Sequence, residues 1–90
     1  MRMEMKVSSL EDFKKRLADL IKLYRRLTPD RYLVCVGSHG IAMVPLMSSR
    51  HSHTFVFNGF ENVEDFTKAI EHLRRLGFVV YSDCSVKPDG

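Results

Sequence analysis

From Arg31 to Asn58 the chain reads as three short strands, RYLVCV, GIAMVPL and HTFVFN, divided by GSHG and by MSSRHSH, with an amphipathic helical pattern on each side. Few folds accommodate such a run. A sheet with one apolar face must bury it, and helices that carry a single apolar stripe are the available cover. The order therefore predicts one sheet with both helices on the same side.

The first helical pattern is the clearest in the chain. Leu10, Phe13, Leu17, Leu20, Ile21, Tyr24 and Leu27 recur at steps of three and four residues, which places them on one stripe until Thr28-Pro29 stops the pattern. Ser8-Ser9-Leu10-Glu11 has capping-box spacing, so the helix should start at Ser8 or Ser9. The second helix is expected after Asn62 as its cap, with Glu64 and Asp65 in the first turn, Arg74 and Arg75 in the last, and Gly77 as its stop. Val63, Phe66, Ala69, Ile70, Leu73 and Leu76 form its expected inward stripe, and Glu64, Lys68, Glu71 and His72 its outward face.

The remaining strands are read from alternation. Met1, Met3, Met5 and Val7 alternate with Arg2, Glu4 and Lys6, the period of a strand with one face buried. Gly37-Ser38-His39-Gly40 is a hairpin turn whose glycines permit positive φ. Pro45 has no amide proton to donate, which predicts an edge or a bend in the strand that holds it. Phe78 to Ser82 forms a last strand before the polar tail. The expected architecture is an α+β two-layer sandwich of order β-α-β-β-β-α-β, with a mainly antiparallel sheet of three to five strands covered on one face by two amphipathic helices. A central first strand makes this a split βαβ, ferredoxin-like plan; without that strand the core is α-β-β-β-α.

At 90 residues this is one domain spanning residues 1–90, with residues 85–90 as a frayed tail. No run of 18 apolar residues and no apolar leader is present, so a cytoplasmic protein without membrane contact is expected. Cys35 and Cys84 lack metal-ligand spacing and lie in apolar runs, which reads as reduced, buried packing residues. No cofactor motif is found.

Charge is distributed unevenly. Residues 9–27 hold six bases and three acids, which accounts for the whole net charge of +3. Lys15, Lys22, Arg25 and Arg26 on the outer face of the first helix form the expected partner surface, and Arg50 with His51 and His53 forms a second. His51 and His53, two residues apart on a strand, share a face and have the spacing of two metal ligands; His39, His72, Asp83 or Cys84 are the available third. The loop Ser48 to His53 also has the hydroxyls and guanidinium to hold a phosphate. Tyr24, Tyr32 and Tyr81 beside a basic helix suggest base stacking with phosphate contacts, the nucleic-acid alternative.

Two resemblances rest on these features. Gly37-Ser38-His39 on a hairpin of an α-β-β-β-α chain resembles the catalytic motif of HicA-type messenger-RNA interferases, which implies His39 as general acid or base in phosphodiester cleavage. Gly40 and Ile41 depart from that family's continuation. In size and architecture, though in no motif, the chain is similar to small phage or mobile-element inhibitors, including anti-CRISPR proteins. That likeness implies a non-enzymatic module binding a protein or ribonucleoprotein. Basic net charge argues against DNA mimicry. A strand next to Pro45, if at an edge, also offers a route to a homodimer.

Overall fold

The computed structural model describes residues 1–38, 40–47 and 52–82. It is an α+β fold with the expected order: β1 (Arg2–Lys6), α1 (Leu10–Leu23), β2 (Tyr32–Val36), β3 (Gly40–Pro45), β4 (Thr54–Asn58), α2 (Val63–Arg75) and β5 (Val80–Tyr81). The five strands form one sheet in the order β1-β4-β3-β2-β5. β2, β3 and β4 pair antiparallel, while β1 joins β4 and β5 joins β2 in parallel, so the sheet is mixed.

Alternation decides which face is buried. Val34 on β2, Ile41 and Met43 on β3, and Phe55 and Phe57 on β4 are fully excluded from solvent, together with Phe13 and Leu17 of α1 and Ala69 and Leu73 of α2. Phe13 meets Phe57 edge to face with ring centres 4.8 Å apart, which locks α1 onto β4. Arg2, Glu4 and Lys6 point away from this core, and Met3 and Met5 pack against it.

Several local readings change. β1 is real but lies at the sheet edge, so the ferredoxin-like plan is not adopted. β3 is the middle strand, and Pro45 is its last residue, opposite Tyr32. A proline at the strand's end removes little from the ladder, so the sheet edges belong instead to β1 and β5. Among the described residues only Gly59 and Gly77 take positive φ, at 97° and 101°. Gly40 serves a different need: a Cβ there would lie 2.9 Å from the Phe57 carbonyl oxygen on the paired strand. Gly77 ends α2 as expected, but Val63 and Leu76 leave the inward stripe and are exposed. His72, expected outside, is half-buried with its ring edge-on to Phe13 at 6.4 Å. Cys35 is half-buried and disulfide-bonded, which corrects its reading as a reduced thiol; Cys84 lies outside the described residues.

The helix N-termini are capped as their sequences require. Ser9 Oγ accepts from the Asp12 amide at 3.1 Å, and Asn62 Oδ1 accepts from the Asp65 amide at 2.8 Å. Asp65 Oδ2 in turn accepts from the Leu10 amide at 3.1 Å, so one carboxylate of α2 also serves the first turn of α1.

Candidate functional site

A cleft of about 700 Å³ opens where α1 hands the chain to β2. Its walls come from three places in the sequence: Leu23 to Arg26, Asp30 to Tyr32, and the flanks of the β3–β4 connection, including Leu46, Met47 and His53.

The end of α1 creates it. The periodic stripe predicts helix to Leu27, yet α1 stops at Leu23 and Tyr24 takes an extended conformation as its C-cap. The apolar residues continue inward by another route. Leu27 is still buried at 1% exposure, and the Tyr24 ring packs on His53 at 5.0 Å and Phe55 at 5.1 Å. Burial of Tyr24 and Leu27 therefore outweighs continuation of the helical ladder. Arg25 and Arg26 consequently leave the helix face and line the cleft with Arg31.

Each of these three guanidiniums is exposed, and among the described residues none lies within 4 Å of a carboxylate. Asp30 shares the rim, with its carboxyl held below the usual range by the Thr28 hydroxyl at 2.6 Å and, to a lesser extent, by Arg31. Around the same opening stand exposed apolar side chains, Leu23 at 72%, Leu46 at 54% and Met47 at 81%. The cleft thus presents positive charge beside uncovered hydrocarbon.

Its floor is fixed by aromatic packing. Tyr32, 5% exposed, donates its hydroxyl to the His53 carbonyl at 2.6 Å, and burial raises its pKa above the ordinary phenol value. The Tyr24 hydroxyl points to Met3 Sδ at 3.5 Å. His53 Nδ1 is buried without a hydrogen-bond partner among the described residues.

The structure brings Arg25, Arg26 and His53 together and adds Arg31, which sequence reasoning missed because the net charge outside residues 9–27 is zero. Lys15 and Lys22 stay exposed on α1, outside the residues lining this cleft. His39, Arg50, His51, Asp83 and Cys84 lie outside the described residues. No three His, Cys, Asp or Glu side chains converge on a metal-sized site among the described residues. Tyr81 belongs to β5, on the far strand from β1, and does not line the cleft. Among the described residues no helix is long and apolar enough to cross a membrane.

No protein-family model, curated protein or solved structure matches this chain.

Proposed function

We propose that this chain is a small non-enzymatic binding module that acts through protein or ribonucleoprotein contacts, with the Arg25, Arg26 and Arg31 cleft as its contact surface. One observation carries the reading: three guanidiniums that have no carboxylate partner among the described residues share a concave surface with exposed Leu23, Leu46 and Met47. Arginine and methionine are favoured at protein interfaces, and arginine pairs with carboxylates through two parallel hydrogen bonds. An acidic protein segment with an apolar side chain is the complementary partner.

RNA is the weaker reading for this surface. Base stacking needs free ring faces, and in this cleft Tyr32 is buried and Tyr24 packs against both His53 and Phe55. A phage or mobile-element inhibitor of the anti-CRISPR kind fits the acidic-partner reading and rests on size and architecture alone. The cytoplasmic assignment belongs with this proposal. The disulfide at Cys35 favours an oxidising compartment instead, and trapping the thiol state in cells separates the two.

The test is capture from native lysate, with mass spectrometry and RNA sequencing of what co-purifies. Arg26→Glu with Arg31→Glu should abolish capture, whereas Lys15→Glu with Lys22→Glu should leave it intact. Because all four positions are exposed, each pair should keep stability within roughly 0.5 kcal/mol per residue by urea denaturation. Capture unaffected by the arginine pair removes the cleft from the function. Recovery of RNA whose binding collapses from low to high salt replaces the protein reading with the nucleic-acid one.

A further inference from the structure

A second, smaller cleft of about 210 Å³ lies between the two helices, lined by Leu10 and Lys14 of α1 and by Lys68, Glu71, His72 and Arg75 of α2. The helices are held together at this end by the Asp65–Leu10 hydrogen bond and by His72 against Phe13. We infer that this groove binds a phosphate group, free inorganic phosphate or a small phosphate monoester, with Lys14 and Arg75 as its charged contacts and His72 as a proton-linked third.

The charge arrangement favours a single compact anion. Lys14 and Arg75 have no carboxylate within 4 Å among the described residues, while Lys68 is engaged by Glu64 at 3.4 Å. Glu71 also lines the groove. With Lys14, Lys68 and Arg75 positive and Glu71 negative, the lining has a net charge of +2 before His72 titrates. A dianion matches that charge, whereas a polyanion running through the groove would meet Glu71. The volume agrees, since it admits a tetrahedral oxyanion.

His72 supplies a readout. Its pKa lies below the ordinary imidazole value, chiefly from burial and then from Lys14 and Arg75. A bound dianion offsets both cations and gives imidazolium a partner, so binding and protonation favour each other. By reciprocity, whatever factor protonation adds to phosphate affinity appears as an equal factor in the His72 proton affinity.

The experiment is an NMR titration of the histidine ring signals with and without inorganic phosphate at constant ionic strength set by sodium chloride, His72→Gln identifying the resonance. Phosphate should raise the His72 pKa by about half a unit or more, equivalent to roughly threefold tighter binding to the protonated protein. Phosphoserine as a second probe separates a monoester site, which it shifts at lower concentration, from one for free phosphate. Lys14→Gln with Arg75→Gln should abolish the effect while the remaining spectrum stays folded. An unchanged His72 pKa overturns the inference, as does an equal rise with chloride alone, which is screening. Displacement at far lower concentration by a short RNA assigns the groove to a nucleic-acid backbone and also overturns it. The result is independent of the arginine cleft, which shares no residue with this groove.

Discussion

The Tyr32 hydroxyl donates to the His53 carbonyl at 2.6 Å, joining the first residue of β2 to the residue just before β4 across the end of β3. Tyr32→Phe leaves that carbonyl without its donor in a part-buried site and should lower stability by about 1–2 kcal/mol in urea unfolding. Burial raises the Tyr32 pKa, so the folded state binds this proton more tightly than the unfolded chain. The associated stability is complete below about pH 10 and is lost as pH rises through the raised value. The phenylalanine variant should lose that alkaline limb.

Two glycines are irreplaceable for different reasons. Gly59→Ala meets both a φ of +97° and a Cβ position 2.7 Å from Lys6 Cγ, and should destabilise by about 1 kcal/mol or more. Gly40→Ala has ordinary φ but drives a methyl against the Phe57 carbonyl oxygen at 2.9 Å, opposing backbone that cannot swing away. Thermal melts should show Gly40→Ala lowering the midpoint even though glycine's conformational freedom is not at issue there; an unchanged midpoint contradicts the close approach.

Asp65 serves both helix starts, taking the Leu10 amide with its carboxylate and giving its own amide to Asn62. Asp65→Ala should cost about 1 kcal/mol, in the range of a lost N-cap. Hydrogen exchange localises the effect: protection should fall in the first turn of α1, which is 55 residues away in sequence from the substitution.

His72 makes stability depend on acid. Its pKa is lowered in the folded state by burial and by Lys14 and Arg75, so the fold favours the neutral ring. That contribution is present above about pH 6.5 and is lost as pH falls from there through the lowered value, because the unfolded chain takes up the proton first. Stability measured between pH 8 and pH 5 should decline less steeply for His72→Gln than for the unaltered protein.

Legibility in the sequence divided along the range of the forces involved. Alternation in β1 and β4, the stripe through Phe13, Leu17 and Leu20, and the caps at Ser9 and Asn62 are settled by neighbours a few residues apart, and each was readable. The exit from α1 was not, because the spacing of Tyr24 and Leu27 suits a helix as well as the turn that buries them.

What the sequence by itself determined is therefore the order of elements and the face each one buries, since hydrophobic period is a local property of the chain. Tertiary structure alone decided that β1 pairs in parallel with β4 at an edge and that β3 runs through the middle. It also gathered Arg25, Arg26, Arg31 and His53 around one cleft. Those outcomes depend on which strands share hydrogen bonds and where aromatic side chains find volume, and both are set by residues far apart in sequence.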